Sequence, residues 1–247
     1  MKFVIPALLM TLCGLHAADV EVTYDESIAK LSNGHKARIE AVRSLWDWML
    51  LDNGLSGPSS VMHFVIKPGH LGAGGPLASC RTSCYAMNSR GKLVVDGQYP
   101  VTISLNIDQT LSRWSDVLMG AVVFHEMTHS FGMDEACFVA NQCEGGTFLV
   151  PEDRYTGPLA LAVYQAEYDP QATFIPLNGP HFAESMHPDE VMTPGLSISR
   201  ISEVYVSSTL LAVIQENGWN VRPGFRGGLL RNLTPIRRLK DEDVLCK

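Results

Sequence analysis

The chain has 247 residues, of which 46% are hydrophobic and 18% are charged, with a formal net charge of −7 and six cysteines. This composition is ordinary for a globular protein with a core, and it excludes collagen-like, coiled-coil and wholly disordered classes. The negative charge argues against nucleic-acid binding in general, because such binding needs a basic face.

The N-terminus predicts a secretory signal peptide over residues 1–17. Lys2 supplies a positive end, Phe3 to Leu15 form an apolar run, and Leu15-His16-Ala17 form a small-residue cleavage site. The run is too short to span a bilayer of roughly 30 Å, and no later segment is apolar enough for a transmembrane helix. We therefore expect a protein that is secreted, or held at the cell surface through a partner, with no transmembrane segment.

Removal of the signal would leave five cysteines, and an oxidising compartment favours disulfides over free thiols. The simplest pairing is local, between Cys80 and Cys84 and between Cys137 and Cys143, although sequence alone does not fix connectivity. Cys246 would then be left over, either free or in an intermolecular disulfide with another chain.

The first half of the chain predicts a helix and three strands. Apolar spacing indicates an amphipathic helix between Glu26 and Leu51, with Asn33-Gly34 as a candidate start. Residues 61–66 and 92–95 are typical of strands. The clearest strand is Val101 to Ile107, where apolar and polar residues alternate, so one of its faces should be buried.

The second half predicts three further helices. One runs from about Asp108 to Phe131 and is ended by Gly132. A short helix begins near Pro158 within a loop-rich stretch, and the last runs from about Ser202 to Asn217. Residues 221–247 are predicted to form a short basic C-terminal tail.

The stretch HEMTH, residues 125–129, carries the chemistry. Residues four apart lie on the same face of a helix, so His125 and His129 could offer nitrogens to one zinc ion at roughly 2.0–2.1 Å. Zinc can lower the pKa of bound water to about 7, and Glu126 could accept the proton while the hydroxide attacks a peptide carbonyl. The alternative is a pair of helix histidines satisfied by hydrogen bonds in the core.

A zinc hydrolase needs a third protein ligand and an open fourth position. Three residues downstream are candidates: Glu135, His181 and His187. Gly132 would let the chain turn sharply after the helix and bring any of them under the metal. The spacing does not choose among them.

Four sequence segments follow one another along the chain in this order: HEMTHSFG, GPHFAE, DEVMTP and SEVYVSSTLLAVIQENGWNV. In this order they resemble the leishmanolysin-like family of metzincin zinc metalloproteases, over roughly residues 59 to 221. The resemblance implies that His125, His129 and His181 bind one catalytic zinc ion, that Glu126 is the general base, and that Met192 is the turn methionine beneath the metal.

The resemblance also implies a fold and an activity. We expect an α+β fold in which a twisted mixed sheet and a catalytic helix lie above the cleft and a mostly helical subdomain lies below it. The catalytic domain should span residues 18–220, with its upper part ending at about residue 132 and its lower part covering 133–220. Val101 to Ile107 should be the edge strand, so Ile103, Ser104 and Leu105 are candidate substrate contacts through main-chain pairing.

The expected activity is that of a secreted metalloendopeptidase that cuts polypeptides. One alternative is a catalytically inactive binding or adhesion protein that keeps the metzincin scaffold, although such a protein would have no need of Glu126. Another is a zinc peptidase whose third ligand is a carboxylate, such as Glu135.

Overall fold

The computed structural model describes residues 19–28, 31–141, 154–185, 189–196 and 198–233. Within these residues the chain is a mixed α+β protein, as expected, with five α-helices and a mixed main sheet. The predicted signal peptide, together with Cys143, His187 and Cys246, lies outside the described residues.

The elements are numbered in chain order. The helices are α1 (Asn33–Met49), α2 (Asp116–Ser130), α3 (Glu135–Asn141), α4 (Pro158–Glu167) and α5 (Ser208–Glu216). The strands are β1 (Val20–Tyr24), β2 (Leu50–Asp52), β3 (Met62–Gly69), β4 (Ala78–Arg81), β5 (Tyr85–Met87), β6 (Leu93–Val95), β7 (Val101–Asn106), β8 (Arg154–Tyr155), β9 (Ile175–Asn178), β10 (His181–Phe182), β11 (Tyr205–Val206), β12 (Asn220–Val221) and β13 (Gly228–Leu229).

The main sheet has the strand order β1-β3-β7-β4. Strands β1, β3 and β7 are parallel, whereas β4 is antiparallel to β7. The alternation predicted for β7 is present, since Val101, Ile103 and Leu105 are buried in the core. This sheet packs against α1 and α2 and forms the upper part of the protein.

The prediction that Val101 to Ile107 is the edge strand is wrong. Strand β7 lies between β3 and β4, so hydrogen bonds to its neighbours occupy both of its sides. Ile103 and Leu105 have no exposed surface, and Ser104 pairs with Lys67 and Ser79. These three residues therefore cannot pair with a substrate, and the free edge on this side belongs to β4.

Helix α1 begins at Asn33, the candidate start, because the Ser32 side chain accepts a hydrogen bond from the His35 amide and caps it. Helix α2 begins later than predicted, at Asp116 rather than Asp108. The Ser115 side chain accepts from the Leu118 amide at 3.1 Å, and the residues before this cap form a turn and a short 3₁₀ helix.

Helix α2 is joined to α1 by aromatic stacking. The Trp46 ring lies 4.5 Å from that of Phe124 and 4.3 Å from that of Phe131, and none of the three side chains is exposed. Apart from Asp116, Val117 and His129, every residue of α2 is buried, so this helix has almost no solvent face. Its position is therefore determined by packing on all sides.

The lower part contains α3, α4 and α5 together with short strands, of which β8, β9 and β10 form a three-stranded sheet. The last predicted helix starts at Ser208 instead of Ser202. Ser207 caps it by accepting from the Leu210 amide at 3.0 Å, and Ile198–Glu203 form a 3₁₀ helix. None of the helices in the described part of the chain has the length and apolar character that a bilayer crossing requires.

Residues 221–233 are not a free tail, so the domain boundary predicted at residue 220 is wrong for them. Val221 pairs with Leu50, and Gly228–Leu229 pairs with β11. Leu230 is buried, and its carbonyl accepts a hydrogen bond from the Arg38 guanidinium at 2.9 Å. Residues 234–247 lie outside the described residues.

We predict that Trp46→Ala lowers the free energy of unfolding by about 3–5 kcal/mol, because it opens a cavity between α1 and α2. The measurement is urea unfolding followed by circular dichroism. Trp48→Ala is the matched control, since Trp48 lies on the same helix but is only partly buried. Equal losses in the two variants would contradict the role assigned to the Trp46 stack.

Candidate metal centre

Two histidines reach the cleft from one face of α2. His125 and His129 are one turn apart, and their ring centroids are 5.0 Å apart. The helix ends just beyond them, at Ser130, and Gly132 follows with φ 114°. A Cβ atom there would come within 2.6 Å of the Asn217 Cβ, so both the backbone conformation and the space favour glycine.

A third histidine comes from the lower part. His181 lies on β10, and its Nε2 is 3.1 Å from the Nε2 of His125. One nitrogen from each of His125, His129 and His181 lies within 4.8 Å of the others, and among the described residues this is the one cluster of three such groups. Two nitrogens bound to one tetrahedral zinc at 2.0–2.1 Å are separated by roughly 3.3 Å, so the observed spacing fits.

Main-chain carbonyls orient two of the rings. The Nδ1 of His125 is 2.7 Å from the Val191 carbonyl, and the Nδ1 of His129 is 2.7 Å from the Met133 carbonyl. Because a carbonyl only accepts, each Nδ1 carries the proton, and each Nε2 of the neutral ring presents a lone pair. Metal-binding histidines commonly have this outer hydrogen bond.

The environment favours the neutral form of the three rings. Burial is the main cause that lowers the pKa of His125 well below its usual value, and the nearby His129 and His181 add to it. Burial also lowers the pKa of His129, and it lowers that of His181 to about 4. Since only a neutral imidazole binds a metal, this cluster can hold a metal ion at neutral pH.

Glu126 lies beside the cluster, and only 6% of it is exposed. Burial raises the pKa of its carboxyl to about 7, and a hydrogen bond from the Cys80 main-chain amide opposes that shift. The amide reaches Glu126 from strand β4, so the sheet edge and the helix meet at this carboxylate. Glu126 can therefore exchange a proton with a molecule held in the cleft.

The three histidines and Glu126 line a cleft of about 710 Å³. One wall is formed by residues 75–82, which comprise β4 and the residues next to it on either side. The opposite side includes Pro180 and His181, together with Pro194, Gly195, Leu196 and Ile198. The site thus lies between the upper sheet and the lower part of the protein.

Met192 belongs to the turn that supplies one of the acceptor carbonyls. The turn is closed by a hydrogen bond from the Thr193 amide to the Glu190 carbonyl, at 3.1 Å, and Met192 itself is fully buried. The Met192 carbonyl accepts from the Phe182 amide at 2.9 Å, so the turn also holds the strand that carries His181.

The candidate Glu135 and the remaining described histidines, which were not candidates, lie elsewhere. Glu135 is exposed in the first turn of α3 and is not a member of the cluster. His35 contacts the Trp114 carbonyl at 2.9 Å, and His63 and His70 pair with surface carboxylates. Of the candidates that the structure describes, it brings His181 to the helix histidines.

The predicted Cys80–Cys84 disulfide is absent, and within the described residues Cys80, Cys84 and Cys137 form no disulfide. The predicted Cys137–Cys143 pair stays a prediction, because Cys143 lies outside those residues. The Cys80 sulfur lies 3.4 Å from the Ser130 hydroxyl and so points toward α2, away from a bond within its own loop. Burial raises the pKa of the Cys80 thiol to about 12, which keeps it protonated. The contact between the Cys80 amide and Glu126 could not be predicted from the sequence, because a main-chain amide gives no residue-type signal.

Comparisons with models of protein families, with curated proteins and with solved structures found no match to this chain.

We predict that the wild-type chain binds one zinc ion and that replacing His125, His129 or His181 by alanine lowers the affinity by more than about 100-fold. The loss should exceed the 10–100-fold typical of outer hydrogen-bond partners, because a direct ligand is removed. Chelator competition measures the affinity, and metal analysis the stoichiometry. His63→Ala is the control, and full zinc occupancy in His181→Ala would exclude His181 as a ligand.

Proposed function

We propose that this chain is a secreted zinc-dependent metalloendopeptidase of the leishmanolysin-like, metzincin type. The observation that carries the proposal is the meeting, in one cleft, of three neutral imidazoles, a buried glutamate and a strand edge that is free to pair. The signal-like N-terminus supports secretion.

The donor set supports zinc as the ion. Imidazole nitrogens suit zinc, copper, iron and nickel, but three protein ligands with an open fourth position are typical of hydrolytic zinc. The order of the histidine motif, His181 and the Met192 turn along the chain supports the metzincin assignment. The finer fold assignment is part of this proposal.

A zinc ion held by the three histidines would supply a Lewis acid that polarises a peptide carbonyl and acidifies water. Glu126 takes a proton from the attacking water and later delivers it to the departing amine. The Cys80 main-chain amide faces the Glu126 carboxylate at the wall of the cleft and favours its charged form. The side chain that carries the proton, Glu126, therefore belongs to α2 and faces the main chain of β4.

The edge of β4 is suited to hold an extended peptide. The Leu77 carbonyl accepts from the Asn106 amide at 2.9 Å, so residue 77 directs its main chain toward β7. In an antiparallel ladder this direction alternates, so Ala78 directs both of its main-chain groups outward, whereas Cys80 directs its amide at Glu126 and leaves its carbonyl outward. A substrate that pairs with this edge gains main-chain hydrogen bonds whatever its sequence.

We predict that Glu126→Gln lowers the cleavage rate of an unfolded protein by about 10²–10⁴-fold while zinc stays bound, because the variant keeps the shape but cannot accept the proton. Peptide release is measured with equal zinc loading. Glu135→Gln, an exposed carboxylate nine residues along the chain, is the control and should be as active as the wild type.

A wild-type protein that binds zinc and cleaves nothing would favour the alternative, a binding scaffold without catalysis. A Glu126→Gln variant that cleaves as fast as the wild type would remove Glu126 from the mechanism.

We predict that a bound peptide inhibitor slows amide hydrogen exchange at β4, because its outward main-chain groups become paired. Hydrogen exchange followed by mass spectrometry measures the effect. Strand β1, the opposite edge of the same sheet, is the internal control and should be unchanged. Protection at β1 alone, or at neither edge, would contradict strand pairing as the mode of binding.

A further inference from the structure

Glu190 is a fully buried carboxylate outside the zinc cluster, and both of its oxygens accept hydrogen bonds. Its Oε2 accepts from the Met192 amide at 2.5 Å. Its Oε1 accepts from the Ser207 amide at 3.2 Å and from the Ser207 hydroxyl at 3.1 Å. One side chain therefore joins the turn around Met192 to the start of helix α5.

The turn that Glu190 secures contacts two of the three histidine positions. Its Val191 carbonyl accepts from the His125 ring, and its Met192 carbonyl accepts from the Phe182 amide, which directly follows His181. The turn is thus the point at which the helix ligand and the β10 ligand are held relative to each other.

A carboxylate is chemically required in this position. The Ser207 hydroxyl accepts from the Leu210 amide, so its own hydrogen is free to point to Glu190. All three partners of Glu190 are then donors, and they approach both oxygens. An amide in its place would set an NH₂ group against a donor and leave a buried N–H unpaired.

Burying the charged Glu190 carboxylate costs free energy, which indicates that its two acceptor oxygens are needed at this position. Burial raises the pKa of the Glu190 carboxyl to about 7, and its three hydrogen bonds offset only part of that shift. The outer side of the turn is fixed separately by main-chain bonds with Tyr205. Glu190 therefore controls the inner side, which faces the histidines.

We propose that Glu190 is a positioning residue for the metal centre, which sets the spacing of His125 and His181 through the turn between them. The inference rests on the proposed zinc site and concerns how that site is held in shape. Glu190 acts through Val191 and Met192 and does not touch the metal or the substrate.

Glu216 provides a matched control at the other end of α5. Its carboxylate also accepts three hydrogen bonds, from the Tyr155 hydroxyl at 3.0 Å, the Leu159 amide at 2.6 Å and the Ala160 amide at 3.3 Å. It ties β8 and the start of α4 to the same helix, and none of its hydrogen bonds goes to the Met192 turn or to a histidine. Glu216→Gln therefore imposes the same chemical change without touching the turn.

The experiment compares wild type, Glu190→Gln, Glu190→Asp and Glu216→Gln, each stripped of metal and titrated with zinc and with cobalt. The readouts are the affinity by chelator competition, the visible spectrum of bound cobalt, and the melting temperature of the metal-free protein. We expect Glu190→Gln to bind zinc about 10–100-fold more weakly and to show a shifted cobalt spectrum. Glu190→Asp, which keeps both oxygens, should recover much of the affinity.

Glu216→Gln should melt lower than the wild type yet match it in affinity and spectrum. If Glu190→Gln also only melts lower, with unchanged affinity and spectrum, Glu190 is structural and the inference is overturned. If Glu190→Gln does not fold, Glu190→Asp decides in the same way, by a shifted spectrum or an unchanged one. A wild-type chain that binds no metal would overturn the metal centre itself, and the inference with it.

Discussion

The hydrogen bonds from His125 and His129 to main-chain carbonyls decide which nitrogen of each ring faces the cleft. Neither carbonyl belongs to α2: one follows the glycine turn, and the other lies in the Met192 turn. The helix alone therefore presents two histidines of undefined tautomer. This arrangement of nitrogens exists only when both turns are packed against the helix, so the capacity of the cluster to hold a metal ion depends on the whole fold.

The burial of α2 follows from the same constraint. A helix that must receive a sheet on one side, α1 on another and two turns near its end cannot keep a solvent face. The polar residues that follow its first turn are then enclosed by protein and need hydrogen-bond partners there. Thr128, for example, donates to the Phe124 carbonyl at 2.7 Å within the helix. Burial of Glu126 and the histidines is thus a consequence of the architecture, and it shifts their pKa values in the direction that suits proton transfer and metal binding.

The sequence predicted what depends on local chemistry. Three features could be predicted because each is a short-range pattern. They are the i, i+4 spacing of the two helix histidines, the end of the helix near Gly132 and the alternation of β7. His181 was one of several ligands that spacing allowed, and only the resemblance favoured it. Its approach to the helix depends on the pairing of β9 and β10, which no local pattern encodes.

The errors have physical causes too. Which strand lies at the edge depends on the order in which all the strands pair in the sheet. Strand β4 has only four residues of mixed polarity after a glycine-rich loop, so its sequence does not predict a strand. The starts of α2 and α5 were placed too early because Ser115 and Ser207 act as caps within longer apolar stretches. The local disulfide failed because β4 turns the Cys80 side chain toward α2.

The shortness of β4 affects how the protein can associate with other molecules. An unpaired strand edge invites the edges of other molecules, and long flat edges seed aggregates. Strand β4 has four residues and ends in the charged and exposed Arg81, so it offers two copies of the protein only a short edge along which to pair. If a peptide pairs with β4 as proposed, it has to be flexible enough to become extended locally, so tightly folded proteins would be poor substrates whatever their sequence.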